Sequence, residues 1–579
     1  MSIIYFFLIY NFYIFIVLIS GFAFVKNIFK NENFSIGEIG LFGFVFIYFL
    51  TTLLHFFFAI NLEISILFYI FLFFFFILNI KKFKILIFQE DKKYFFFIYI
   101  LGFITACTSN LHDDWQLYQL PIVNVMQQYK IVFGLISLND YFGQGHGFYE
   151  LMSVFQLPIF NNTAIYLLPV IFTIFFSLHL VREFGESDNK VKLLIFFIIC
   201  LILLRFSRSK EFGTDLPVIS LLFLIQLYVL NYLKNPDKLH LYKIFIFFSF
   251  SVFLKLYAAL AIFYLFIIFL SNNRQNLKEV LFINKKNIFI LCLILISIMK
   301  NIIISGCLFY QLSNMCIDKK IADWSIGNVA ANERHLFTTA SARGWKAYVR
   351  EEQPKSFVSA SSYLKLSQKN YFKYLIHDKN FEKFLITIFI CVLVIFLNYK
   401  FISKKKYKSI NFRDFLILVF SFLPVLIWAY KIPNIRYGGY AYIPYFIFTI
   451  LFIFFEIKNL NFKNLKIFLV ICLTFFIYKN MLRIHDEILS NETKNYPFAE
   501  YKEKKSYSKK YDNFKINIPA EGLWCGNIAM LCASTDYLVH DVKVRKSYIF
   551  LSSEEENMIK FINRTAYYDT FEENDIIRK

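Results

Sequence analysis

The stretch from Ile3 to Val25, IIYFFLIYNFYIFIVLISGFAFV, contains no charged side chain. An α-helix rises about 1.5 Å per residue, so about 20 apolar residues cross a hydrocarbon core of about 30 Å. Apolar runs of this kind recur along the whole chain. Of 579 residues, 58% are hydrophobic and 78 are Phe, against roughly 45–50% apolar content in soluble domains. The pattern excludes a water-soluble globular protein and predicts an all-α polytopic membrane protein. The first run has no basic leader and no A-x-A-like cleavage site, so it reads as a retained span rather than a signal peptide.

Length and hydropathy predict about fourteen spans. They lie near 3–25, 37–60, 63–80, 94–108, 162–181, 191–206, 216–234, 241–255, 257–270, 287–304, 382–399, 411–430, 437–457 and 465–482. The spans at 241–255 and 257–270 form one apolar run broken at Lys255 and Tyr257, which suggests a tight hairpin. The segment 146–158 suggests a membrane-dipping half-helix.

The net charge is +21. Lysines crowd into short loops, which the positive-inside rule explains without a nucleic-acid partner. The most basic connections are KKFK at 81–84 with Lys92 and Lys93, Lys285 with Lys286, and KKKYK at 404–408. Assigning these to the cytoplasm places Asp113 and Asp114, the loop 207–215, the loop 305–380, the loop 431–439 and the tail from 483 outside. The Phe, Ile, Lys and Asn bias points to an AT-rich bacterial genome, hence to a bacterial cytoplasmic membrane.

Five cysteines lie in or beside spans. The other four form two close outward pairs, Cys307 with Cys316 and Cys525 with Cys532. An oxidising exterior permits disulfides, and both pairs are expected to be bridged; incidental thiols are the alternative. Four zinc ligands are not evident around CGNIAMLC.

Ionisable groups at a membrane rim default to functional hypotheses. In HDDWQLYQLP, Asp113 and Asp114 follow a span directly. Beyond them, residues 116–138 carry apolar positions at helical spacing, which predicts an interfacial amphipathic helix. A carboxylate there suits a general base, and a solvated loop start is the alternative. Arg436 in KIPNIRYGGYAYIP suits a phosphate or pyrophosphate, gripped by its planar fork, or else snorkels to headgroups. Arg205, Arg208 and Lys210 make an outward basic loop able to hold an anionic headgroup. Asp215 there reads equally as a helix N-cap or as a functional carboxylate. Lys255 and Lys300 each lie toward the outer end of an apolar run, as snorkelling lysines or as lipid-phosphate contacts. No P-loop, Rossmann, H-E-x-x-H or G-x-S-x-G pattern is present, which argues against a soluble nucleotide-sugar donor. DDW offers carboxylates to a divalent ion without a full ligand set.

Four stretches together resemble the GT-C class of membrane glycosyltransferases, and most closely a family of bacterial multi-pass proteins within it. They are DDWQLYQLPIVNVMQQYKIVFGLISLNDYFGQG (113–145), KEFGTDLP (210–217), NIIISGCLFYQLSNMC with DWSIGN (301–328), and WAYKIPNIRYGGY (428–440). LWCGNIAMLCAS at 523–534 is similar to that family's paired-Cys ending. The chain departs at Gln119, where the family often has His, and near Tyr141, where it often has a basic residue. The resemblance implies a polyprenyl-phosphate-linked sugar as donor and a glycan or lipid acceptor. It implies a catalytic Asp114, four residues before Tyr118, with Asp113 beside it, and a cationic donor contact at Arg436 helped by Lys255 or Lys300. It divides the chain into additional spans (1–93), a catalytic core (94–482) and an extracytoplasmic tail (483–579). An oligosaccharide polymerase or ligase using a lipid-pyrophosphate donor, and a glycolipid transporter, are the competing readings.

Overall fold

A computed structural model describes residues 2–30, 34–88, 92–112, 114–144, 147–211, 213–269, 284–345, 359–366, 379–404, 411–490, 496–499, 505–511, 514–523, 525–526, 528, 531–545 and 547–568. The main helices are α1 (Ser2–Ile28), α2 (Ile36–His55), α3 (Leu62–Phe88), α4 (Lys92–Ala106), α5 (Leu120–Gln128), α6 (Gly147–Ser153), α7 (Leu167–Glu186), α8 (Asn189–Arg205) and α9 (Asp215–Lys234). They continue as α10 (Lys238–Leu254), α11 (Ile262–Phe269), α12 (Lys285–Ser305), α13 (Asn328–Ala342), α14 (Lys379–Phe396), α15 (Phe412–Lys431), α16 (Tyr440–Phe454), α17 (Phe462–Leu489) and α18 (Glu555–Tyr568).

Every predicted span falls on a helix. Among the described residues, nine helices are long and apolar enough to cross a membrane: those at 3–28, 36–55, 62–83, 162–186, 215–234, 285–305, 412–431, 435–454 and 462–489. The protein is an all-α polytopic membrane protein. The remaining predicted spans correspond to α4, α8, α10, α11 and α14, which do not meet that standard.

Helix α2 lies in the middle of the bundle, packed on α1, α6 and α7. Glycines permit the approach: a Cβ on Gly21 would meet the Ile39 carbonyl, and one on Gly43 would meet that of Val17. Small residues at helix crossings are the usual route to close packing where lipid offers no hydrophobic drive.

The loops expected outside share one end of the bundle, the rim end. Tyr5 of α1 packs on Phe160 and Phe498. The Arg343 guanidinium reaches the Tyr430 carbonyl. The opposite end carries Lys190 on the Phe452 carbonyl at 2.8 Å, and strand β1 (Ile402–Lys404) paired antiparallel with β2 (Phe455–Ile457). The hairpin at Lys255 is present. Lys255 is extended, and beyond it Tyr257 packs on Tyr437, then Tyr264 on Tyr442 and Tyr445, so this run re-enters the bundle alongside α16.

Two expectations change. The interfacial amphipathic helix exists as α5, but its apolar residues Leu120, Ile122, Val123, Val125 and Met126 are buried by protein. Helix α6 packs against it, and the tail closes over the segment that follows it. Hairpin β3 (Ser506–Tyr511) with β4 (Phe514–Pro519), hairpin β5 (Asp541–Arg545) with β6 (Tyr548–Ser552), and α18 accompany it. Phe133 exchanges backbone hydrogen bonds with Ile549 and Leu551 at 2.9 Å and stacks on Phe550. Glu555 of α18 accepts from the N–H groups of Val329 and Ala330 at the start of α13. The segment expected to dip into the membrane contains α6, whose seven residues are all buried. Both disulfides form, Cys307–Cys316 and Cys525–Cys532.

Candidate functional site

Helix ends at the rim place five charged or titratable side chains together. The chain leaving α4 carries His112 and Asp114, after which a π-helical turn (Trp115–Gln119) leads into α5. Asp215 is the first residue of α9, Lys255 follows α10, and Arg436 lies in the turn before α16. That turn is shaped by Gly438 at φ +93°, a left-handed conformation costly for any residue with a Cβ.

Arg436 is the hub. Its Nε and Nη2 donate to Asp215 Oδ2 at 3.0 and 2.6 Å, and Nη2 also lies 3.1 Å from His112 Nε2. A guanidinium only donates, so His112 Nε2 accepts and the ring proton belongs on Nδ1. Nδ1 is 3.2 Å from Asp114 Oδ2. With the proton there, the Asp114 N–H at 3.1 Å from Nδ1 is a close approach rather than a hydrogen bond. The result is a directed relay: Arg436 donates to His112, and His112 donates to Asp114. Tyr118 OH also donates to Asp114 Oδ2 at 3.3 Å, and its ring stacks on Tyr141. Lys255 Nζ stands 3.9 Å from Asp215 Oδ1.

Exposure separates the roles. Asp215 is only 6% exposed, whereas Asp114, Arg436 and Lys255 are 36%, 31% and 21% exposed. Asp215 therefore positions, and the other three face open space. Among the described residues, Arg436 Nη1 has no protein partner. Burial pushes the Asp114 carboxyl up, but the His112 hydrogen bond and the charges of Arg436 and Lys255 outweigh it and bring it to about 2. Asp114 is thus ionised at neutral pH. Burial and the Asp114 charge hold the Tyr118 hydroxyl well above its ordinary range, so it stays a donor.

The structure brings Asp114, Arg436, Lys255 and Tyr118 together as expected. Asp113 lies outside the described residues. Four expectations need correction. Lys300 does not reach this site: it is 2% exposed and pairs at 3.0 Å with Glu150, 0% exposed, which also accepts from Thr52 Oγ1 at 2.6 Å. Lys210 is no headgroup contact. It is buried, donates to the Thr108 carbonyl at 2.7 Å, and burial pushes its ammonium down to about 8 against the pull of Glu487. Arg208 is exposed but pairs with Glu211 at 2.7 Å, apart from the Arg436 hub. Asp215 does not cap α9; it sits inside the first turn and its carboxylate goes to Arg436.

Sequence reasoning missed His112 as the link between Arg436 and Asp114. Its place two residues before Asp114 was the available signal. The tail closes over the same segment: Gly526, between the bridged cysteines, donates to the Gln116 carbonyl at 2.9 Å, and Asn139 Nδ2 donates to Ser534 Oγ at 2.9 Å.

A divalent ion does not fit the described residues. Asp215 is already matched by Arg436 and Lys255, Asp114 by His112, and no group of three or more His, Cys, Asp or Glu has metal-binding geometry among them.

No curated protein and no solved structure matches the chain. Residues 1–443, which include His112, Asp114, Asp215, Lys255 and Arg436, match the family described as Domain of unknown function (DUF8201), and the chain belongs to that family.

Proposed function

We propose that the protein is a membrane glycosyltransferase of the GT-C type. It moves a sugar from a polyprenyl phosphate to a hydroxyl of a surface glycan or lipid-linked acceptor. The observation that carries this reading is the convergence of an ionised carboxylate, Asp114, with two outward-facing cations, Arg436 and Lys255, at one rim of the bundle. In this reading the five shorter apolar helices bring the crossings to fourteen. The rim faces outward from a bacterial cytoplasmic membrane, and the two disulfides on that end suit an oxidising exterior.

The acceptor hydroxyl hydrogen-bonds to Asp114. Its oxygen attacks the anomeric carbon, the bond from that carbon to the phosphate oxygen breaks with inversion, and the proton passes to Asp114. A carboxylate this weakly basic takes the proton late, as the hydroxyl becomes acidic in the transition state. The departing polyprenyl phosphate gains negative charge, which Arg436 Nη1 and Lys255 stabilise. Asp215 holds the Arg436 fork in place, and His112 orients Asp114.

The test is a transfer assay in membranes holding the full chain, with a single-sugar polyprenyl-phosphate donor and, separately, an oligosaccharide on polyprenyl pyrophosphate. Asp114→Asn is expected to cost about 10²–10⁴-fold in transfer while melting like wild type. A wild-type rate in Asp114→Asn overturns the base role. Turnover of the pyrophosphate donor alone favours the polymerase or ligase reading.

A further inference from the structure

A second basic cluster is joined to the Arg436 region through Tyr440. Arg205 is the last residue of α8 and Arg208 follows it, while Lys479 and Arg483 sit one turn apart on α17. Lys479 is within electrostatic range of Arg205, Arg208 and Arg483. Arg205 Nε donates to Tyr440 OH at 2.7 Å, and Tyr440 in turn feels the charges of Arg436 and Asp215. Arg483 Nη1 is steadied by Asn480 Oδ1 at 3.0 Å and Ser207 Oγ at 3.5 Å.

The nearby carboxylates are largely committed. Glu211 takes Arg208, Glu487 accepts the Ser109 N–H at 2.6 Å beside Lys210, and the exposed Asp486 faces His485. Among the described residues, Arg205, Lys479 and Arg483 have no carboxylate within ion-pair distance. Glu211, and for Arg483 also Glu487, offsets part of the repulsion at longer range, but the three cations are held together without a paired carboxylate.

Their depth and surroundings point to the kind of anion they suit. Helix α17 has 28 residues, a length of about 42 Å, so it overshoots a core of about 30 Å. Lys479 lies about 26 Å from its start, near the edge of that core. Phe475, Tyr478 and Leu482 around it are 41%, 63% and 43% exposed, an apolar face turned to lipid. Snorkelling accounts for one lysine at such a level. It does not account for a lysine and two arginines converging from two helices at the end that the positive-inside rule leaves poor in cations.

We infer that Arg205, Lys479 and Arg483 form a docking site for the phosphate headgroup of a membrane lipid, beside the candidate catalytic rim. The inference rests on the proposed function only in naming a polyprenyl phosphate as one source of that headgroup.

The test is native mass spectrometry of the detergent-solubilised full chain, titrated with undecaprenyl phosphate, phosphatidylglycerol and inorganic phosphate. It compares wild type, Lys479→Gln with Arg483→Gln, and Lys463→Gln with Lys466→Gln. The last removes equal charge from the other end of the same helix. At least a tenfold loss of undecaprenyl phosphate affinity is expected in the rim variant alone, at unchanged melting temperature. An equal loss for phosphatidylglycerol assigns the site to lipid phosphates in general. A loss confined to undecaprenyl phosphate assigns it to the carrier. Unchanged affinity for both lipids, an equal loss in the Lys463/Lys466 variant, or inorganic phosphate binding as tightly as either lipid overturns the inference. Binding is read without turnover, so a transfer assay that fails leaves this result standing on its own.

Discussion

Two clusters in this molecule use the same chemistry to opposite ends. At the rim, Arg436 and Lys255 face Asp215 and, through His112, Asp114. Deeper in, Lys300 faces Glu150 beside Thr52 and His55. The deep pair is sealed on all sides and its charges are spent on each other. At the rim, one carboxylate is sealed while two cations and a second carboxylate keep open faces. A sealed ion pair holds helices in register; an open one has donors left over for something that arrives. The distinction lies in exposure and in unspent hydrogen-bonding atoms, not in residue type.

The sharpest way to break this contrast is at the sealed pair. Removing one partner of a buried ion pair leaves an uncompensated charge and costs about 3–5 kcal/mol. Lys300→Met is therefore expected to lower the melting temperature of the solubilised protein strongly. Adding Glu150→Leu is expected to recover most of the loss, since an apolar pair of similar volume is often neutral. If Lys300→Met melts with wild type, the pair is not sealed and the contrast fails.

At the open cluster the same kind of deletion is expected to act on function. Arg436→Gln removes the fork from Asp215 and the free Nη1 from the proposed phosphate. A loss of about 10²–10³-fold in transfer, on the scale of one preorganised donor, is expected with a smaller melting shift than Lys300→Met shows. Arg436→Lys keeps the charge but not the planar fork, and should fall between. Equal transfer by all three proteins would assign Arg436 to structure alone.

Much of this was legible in the sequence, because lipid imposes a simple rule on length and polarity. Each apolar run became a helix, and the sidedness read from lysine-rich loops gathers the right segments at one end. Asp114, Arg436 and Lys255 met as their positions in that sidedness suggested. What hydropathy does not encode is the partner of a single charge. Lys255 and Lys300 read alike, each a lysine toward the outer end of an apolar run. Their fates differ because Glu150, on a short helix far away in sequence, faces one of them. Asp215 joins Arg436 across a separation of 221 residues, which no local pattern reports. Lys210 and α5 read as exposed because what covers them is remote from any local pattern: the Thr108 and Pro497 carbonyls and Phe6 around Lys210, and helix α6 against α5.

The smallest expected effect tests how the open cluster tunes its carboxylate. Asp114 sits at about 2, below the ordinary aspartate value of about 3.9. A group lowered in this way is in its ionised, active form above that value and loses it only as pH falls toward about 2. Transfer should therefore show no acid limb from Asp114 between pH 7 and about 4. His112→Ala removes the main lowering partner, so the Asp114 value rises and an acid limb moves up into the measurable range. His112→Asn can still donate an N–H to Asp114 but does not reproduce the imidazole bridge to Arg436. If Asn restores the flat profile, the hydrogen bond sets the value. If Asn behaves like Ala, the imidazole's bridge to Arg436 is needed as well as its N–H. If neither variant moves the limb, Arg436 and Lys255 hold Asp114 ionised by themselves, and His112 is only a spacer between the two halves of the site.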